Sequence, residues 1–80
     1  MITEEYTDLL TLDGFDEAVL GVVERSGFLA VCYDRNKILQ ILMRDMNQEE
    51  AWEFYEYNIL GAYMGEHTPV YLDMMPLWKQ

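Results

Sequence analysis

The stretch from residue 18 to residue 33 decides the fold. Residues 18–23 (AVLGVV) and 28–33 (FLAVCY) are apolar runs, and residues 24–27 (ERSG) between them are typical of a turn. This arrangement predicts an antiparallel β-hairpin. Both runs are apolar at odd and even positions alike. We therefore expect each strand to be covered on both faces, by helices on one side and by the N-terminal segment or a partner on the other.

Two helical patterns follow the hairpin. Asp34 is a suitable N-cap for a helix over residues 35–45, in which apolar residues recur at helical spacing. Asn47, with Glu50 three residues later, forms the capping-box pattern that begins a second helix. Gly65 is a typical helix-terminating glycine, so we expect this second helix to end there.

The two ends of the chain complete the prediction. Pro69 excludes helix and opens a short strand over residues 70–72, and a proline at a strand start suits a sheet edge. Residues 1–11 are interpreted as a short N-terminal helix or arm, because Thr3 is a plausible N-cap. Residues 73–80 form a tail that is too apolar for a plain disordered segment.

These elements predict one α+β domain over residues 1–80, in the order (α)ββααβ. Its small antiparallel sheet consists of the hairpin and the C-terminal edge strand, with two helices packed on it.

The net charge of −10, from 15 acidic and 5 basic side chains, restricts the possible partners. Such a surface repels nucleic acids and anionic membranes, and no apolar run approaches the roughly 18 residues of a membrane span. The hydrophobic content of 51% is high for so small a domain, so we expect a homo-oligomer. Cys32 is the single cysteine, which fits a reducing cytoplasm.

A group of polar residues near the turns is the first candidate site. Asp13 and Asp16 flank a glycine, Glu66 and His67 follow the second helix, and Asn58 lies beside its apolar face. If the two loops converged, their oxygen and imidazole ligands would suit a divalent cation. Asp beside Gly is also ordinary turn chemistry. We therefore expect a structural role, with no metal or cofactor, and with the Asn58 amide pinning a neighbouring loop.

Cys32 and His67 are the one possible Cys–His pair for nucleophilic catalysis. Cys32 lies within an apolar strand pattern, which predicts an inert buried thiol. No phosphate-binding or nucleophile-elbow motif occurs, so we expect no enzymatic activity.

The second predicted helix carries a stripe of acids that is interleaved with aromatic residues. Glu49, Glu53 and Glu56 fall at i, i+4 and i+7, which places them on one side. A charge run is usually a solvated helix face, but acids beside large aromatics resemble a protein-binding surface. The predicted partner-binding residues are Asp45, Glu49, Trp52, Glu53, Glu56 and Tyr57.

Several short motifs together resemble a family of small acidic proteins encoded by tailed bacteriophages and prophages, which has no assigned activity. They are a DGFD-type turn in residues 12–18 (LDGFDEA), Gly21, Tyr33-Asp34, residues 49–51 (EEA), an N-x-x-G-A helix end in residues 58–63 (NILGAY) and a G-E-x-T-P loop in residues 65–69. The resemblance covers about residues 12–72 and implies expression in the cytoplasm of an infected bacterium.

Three functions are compatible with these observations. The first is a non-enzymatic accessory protein that binds and modulates a host protein with a basic surface, in an anti-defence or nucleic-acid-mimic role. The second is a homo-oligomeric binder of a small molecule, such as a sponge for a nucleotide signal, for which Arg35 and Lys37 are the expected pocket cations. The third is a metal-dependent enzyme centred on Asp13, Asp16 and the Glu66-His67 pair.

Overall fold

The computed structural model describes residues 9–74. A 3₁₀ turn at Asp16–Ala18 leads into strand β1. The elements that follow are β1 (Val19–Arg25), β2 (Phe28–Asp34), helix α1 (Arg35–Leu42), helix α2 (Gln48–Phe54), a π-helical turn (Tyr55–Leu60) and β3 (Val70–Leu72). The predicted ββααβ order and α+β class are confirmed. The expected N-terminal helix and apolar tail lie mostly outside the described residues, and residues 9–12 form no regular element.

The hairpin is present as the sequence predicts. β1 and β2 pair antiparallel, with Arg25 opposite Phe28 at the turn and Val22 opposite Val31 further along. Ser26 and Gly27 connect them with φ angles of 52° and 85°. Positive φ at both central residues defines a type I′ turn, whose twist matches that of the strands. A β-bulge at Leu20 interrupts the register between Val19 and Gly21.

The third strand corrects the prediction of an antiparallel sheet. β3 lies at the edge, as expected, but it pairs parallel to β2, with Tyr33 opposite Tyr71, so the sheet is mixed. The two helices lie between β2 and β3 in the chain. This helical connection carries the chain back across the sheet, so β3 runs in the same direction as β2.

The two strands of the hairpin differ in burial. Four consecutive residues of β2 are buried, Ala30 to Tyr33, so this central strand is covered on both faces as expected. In β1, by contrast, Gly21 and Val23 are half-buried and the remaining residues are exposed. The described core contains no residue of β1, because α1 packs against β2. The predicted cover of β1 by the N-terminal segment or a partner lies outside the described residues.

Helix α1 begins where predicted and ends earlier. The carboxylate of Asp34 accepts hydrogen bonds from the backbone N–H groups of Asn36 and Lys37, at 3.0 and 3.3 Å. The helix ends at Leu42 instead of residue 45. The N–H groups of Arg44 and Asp45 donate to carbonyls three residues back, at 3.2 and 3.1 Å, so the last turn is tightened out of α geometry.

Helix α2 has the predicted capping box and an unpredicted end. Asn47 accepts from the Glu50 N–H at 2.8 Å, and the Glu50 carboxylate accepts from the Asn47 N–H at 3.1 Å. The helix then widens into the π-helical turn, which ends where the Gly61 N–H donates to the Glu56 carbonyl at 3.2 Å. The prediction that Gly65 ends this helix was wrong. Gly65 lies in the following loop with φ +97°.

Candidate interaction surface

The helical segment from residue 48 to residue 60 has a buried side and an acidic side. Ala51, Tyr55 and Ile59 recur every four residues and are buried in the core. Glu49, Glu53, Glu56 and Tyr57 are exposed, as is Asp45 in the turn before the helix. We call Asp45, Glu49, Glu53, Glu56 and Tyr57 the acidic helix surface.

No base counters these carboxylates from nearby in sequence, because residues 45–66 contain no Lys or Arg. Arg44, just before this segment, pairs mainly with Glu17 and also interacts electrostatically with Asp45. Its guanidinium forms two hydrogen bonds with the Glu17 carboxylate, at 3.1 and 3.2 Å. These bonds lower the pKa of Glu17 and raise that of Arg44. The acidic helix surface therefore keeps its negative charge exposed.

Tyr57 supplies a large aromatic ring on this surface. The residue is 80% exposed, the highest exposure among the large hydrophobic residues of the described chain. A tyrosine buries a large apolar area through few rotatable bonds, and aromatic anchors carry much of the energy of protein interfaces. Tyr57 therefore provides an exposed aromatic anchor on the same helical segment as the carboxylates.

Trp52 lies at the margin of the surface. It is half-buried and packs against the core, with its ring 6.2 Å from that of Tyr55 in a T-shaped arrangement. The guanidinium of Arg35 lies 5.2 Å from the centre of the Trp52 ring. Trp52 therefore connects the two helices, and only its outer part is available to a partner.

The aromatic residues predicted between the acids include Phe54, whereas the exposure of Leu60 and Tyr63 was not predicted. Phe54 and Leu60 are exposed on the same helical segment, and Tyr63 is 77% exposed beyond its end. A continuous α-helix to Gly65 would have placed Tyr63 beside the buried face. The π-helical turn shifts these positions, and no residue pattern in the sequence indicates it.

The loop residues considered as ligands do not form a metal site in the described region. No group of three or more His, Cys, Asp or Glu side chains within residues 9–74 is arranged to hold a metal ion. Asp13, Asp16 and Glu66 are exposed. Asn58 is exposed as well, on the outside of the π-helical turn. The expectation that its amide pins a neighbouring loop was therefore wrong.

His67 has a structural position. Its Nδ1 lies 2.8 Å from the Leu29 carbonyl, so Nδ1 carries the proton and donates. Its ring also packs edge-on against Phe28, at 5.7 Å between centroids. Cys32 is buried within β2, which confirms the predicted buried thiol. His67 thus ties the loop before β3 to the central strand.

Three tyrosines form a buried aromatic cluster behind the helix. The Tyr71 ring stacks against that of Tyr33 at 6.1 Å and meets that of Tyr55 edge-on at 5.7 Å. Burial raises the pKa of Tyr71 to about 12 and raises that of Tyr55. In the described part of the chain, the Tyr71 hydroxyl and the Arg35 Nε are buried without a hydrogen-bond partner.

Three cavities formed by described residues are open depressions on the surface. They have volumes of about 350, 330 and 320 Å³. Arg25 and Tyr63 line the first two, and Trp52 lines the third. Arg35 and Lys37 line none of these three, which does not match the pocket expected of a small-molecule binder.

No protein-family model, no curated protein and no solved structure matches this chain. Among residues 9–74, no helix has the length and apolar character needed to cross a membrane.

Proposed function

We propose that the protein is a non-enzymatic accessory protein that binds a basic surface of another protein through the acidic helix surface. The observation that carries the proposal is the nearly complete exposure of Tyr57 among Glu49, Glu53 and Glu56. The phage resemblance suggests a bacterial host protein as the target, such as a nucleic-acid-binding component of defence or transcription.

The proposed mechanism is electrostatic competition. Helix α2 presents carboxylates over about two turns, and a protein that binds phosphates presents Lys or Arg at a comparable density. The carboxylates steer the partner and compete with its nucleic acid, while the Tyr57 ring supplies desolvated contact area. Exposed charge pairs at the rim of an interface mainly raise the association rate, so this effect weakens as salt rises.

The test begins with affinity capture from bacterial lysate, followed by titration of the captured protein with designed variants. The triple variant Glu49→Lys, Glu53→Lys and Glu56→Lys reverses the acidic helix surface. The triple variant Glu4→Lys, Glu5→Lys and Asp8→Lys makes the same charge change in another segment and serves as the control. We expect the first variant to lose much more affinity than the control, with a difference that shrinks at high ionic strength.

Two outcomes would contradict the proposal. Equal losses in both variants mean that only net charge matters and that no particular face docks. No loss in either variant removes electrostatic competition as the mechanism.

The melting temperature should hardly change in the first variant, because its three side chains are exposed.

A further inference from the structure

The long strand β1 lies at a free edge of the sheet. The strand order is β1-β2-β3, and within residues 9–74 no strand pairs with the outer side of β1. This edge is seven residues long, from Val19 to Arg25, and contains no proline. An open edge of this length presents a row of unpaired backbone N–H and C=O groups that another strand can use.

The turn geometry identifies which backbone groups point outward. In a two-residue hairpin, the residues that flank the turn, here Arg25 and Phe28, exchange hydrogen bonds. The pairs then alternate, so Glu24 opposite Leu29 and Val22 opposite Val31 are pairs without mutual hydrogen bonds. The N–H and C=O groups of Val22 and Glu24 therefore point away from β2, toward the free edge.

The side chains of this edge are unusually apolar for an exposed strand. Val19, Leu20 and Val22 are 43%, 47% and 42% exposed. Natural edge strands are usually protected from pairing by lysines, prolines, β-bulges or short length. The bulge of β1 lies at Leu20, and the register from Gly21 to Arg25 is regular. In β1, the residues Glu24 and Arg25 supply the only charges, and they lie together near the turn.

We propose that two copies of the protein pair their β1 strands antiparallel, about a twofold axis near Val22, and so join two three-stranded sheets into one. In this register Val22 of each copy faces Val22 of the other, and the outward groups of Val22 in the two copies exchange hydrogen bonds. Such an interface is self-complementary, as a twofold axis requires.

Charge also favours a second copy at this edge. Each copy carries −10, so two copies approach best where bases offset the acids. β1 has one acid and one base. Antiparallel pairing about Val22 brings Arg25 of one copy to the start of β1 in the other, where the exposed Asp16 precedes the strand. The guanidinium of Arg25 otherwise donates to the Glu66 carbonyl at 3.4 Å.

The edge shares no residue with the acidic helix surface. A twofold axis perpendicular to the sheet leaves both helical layers on the same side of the joined sheet. The dimer would thus present two acidic helix surfaces to one target, but its formation depends on neither of them.

The test uses the full-length protein and the variant Val22→Pro. The Val22 N–H points outward, so proline removes a hydrogen bond to the second copy without removing one to β2. Val22→Lys is a second variant, which lowers the net negative charge of each copy and, in the proposed register, places two Lys ammonium groups opposite each other across the twofold axis. Leu60→Lys makes the same change at another exposed apolar residue and is the control.

Light scattering and sedimentation should show a concentration-dependent dimer for the natural sequence and for Leu60→Lys. Both Val22 variants should raise the dimer dissociation constant by about tenfold or more. Amide exchange should show protection of Val22 and Glu24 that increases with protein concentration. A monomer at high micromolar concentration overturns the proposal. A dimer that persists in Val22→Pro also overturns the proposal. Protection of the Val22 and Glu24 amides in the monomer overturns it as well, because another segment of the same chain would then cover the edge.

Discussion

The hydroxyl of Tyr33 accepts a hydrogen bond of 2.7 Å from the backbone N–H of Leu12. Tyr33 is fully buried in the central strand, and Leu12 belongs to the segment that precedes the hairpin. The bond therefore fixes the residues around the DGFD-type turn to the middle of the sheet. It also satisfies a buried hydroxyl that would otherwise be costly to bury.

Two tyrosine-to-phenylalanine substitutions should have opposite effects on stability. Tyr33→Phe removes the partner of the Leu12 N–H and should lower the free energy of unfolding by about 1 kcal/mol. Tyr71→Phe removes a buried hydroxyl that has no hydrogen-bond partner in the described region, and should raise it by about 1 kcal/mol. Urea unfolding of the two variants and of the natural sequence measures both changes in the free energy of unfolding. A loss in Tyr71→Phe as large as that in Tyr33→Phe would contradict the assignment of these hydroxyls.

The raised pKa of Tyr71 predicts a loss of stability at high pH. The folded-state pKa is about 12, mainly because of burial, and the ordinary value is 10.0. Between these values the unfolded chain releases the proton and the folded chain keeps it, so the free energy of unfolding falls as pH rises. The stabilisation that comes from the raised pKa of Tyr71 is fully present below pH 10, and it is lost as the pH passes about 12. Tyr71→Phe should flatten this part of the stability curve, and tyrosinate absorbance measures the titration directly.

The hairpin and both helix starts could be predicted because local chemistry determines them. The turn at Ser26-Gly27, the Asp34 cap and the Asn47–Glu50 capping box depend on residues close together in sequence. The parallel direction of β3 depends on how two helices carry the chain across the sheet, and no short motif records that path.

The candidate surface was predictable in its charge and less so in its shape. Glu49 and Glu53 lie on regular α-helix and are exposed as expected. Beyond Phe54 the chain winds with five-residue hydrogen bonds, which changes the positions of Asn58 and Tyr63 relative to a continuous α-helix. A sequence pattern that assumes 3.6 residues per turn cannot place these residues correctly.

Arg35 should be more important for stability than its exposure suggests. Its guanidinium donates to the Asp73 carboxylate at 2.6 Å and lies over the Trp52 ring, so it joins α1, α2 and the end of β3. Arg35→Gln should lower the free energy of unfolding by about 1 kcal/mol, since partly exposed ion pairs and cation–π contacts are individually weak. Lys37→Gln removes the same charge from the same helix and should change the free energy of unfolding by less than about 0.5 kcal/mol. Equal effects in chemical denaturation would show that only helix charge matters.

The aromatic contribution of the acidic helix surface can be separated from its charge by a substitution at Tyr57. Tyr57→Ala keeps every carboxylate and removes the one aromatic ring that the acidic helix surface includes. Because Tyr57 is 80% exposed, its loss should leave the melting temperature nearly unchanged. A central aromatic anchor typically contributes 2 kcal/mol or more to an interface, so affinity for the captured target should fall by about tenfold or more.

Tyr63→Ala is the matched control for this substitution. Tyr63 is also a tyrosine, is 77% exposed and lies beyond the helix, beside Arg25 at an open cavity. A desolvated ring contributes to the dissociation rate, and long-range charge contributes to the association rate. Tyr57→Ala should therefore speed dissociation at both low and high ionic strength, whereas Tyr63→Ala should leave it unchanged. Similar losses in the two variants would mean that exposed tyrosines contribute nonspecifically, and the docking site would then have to be sought outside the acidic helix surface.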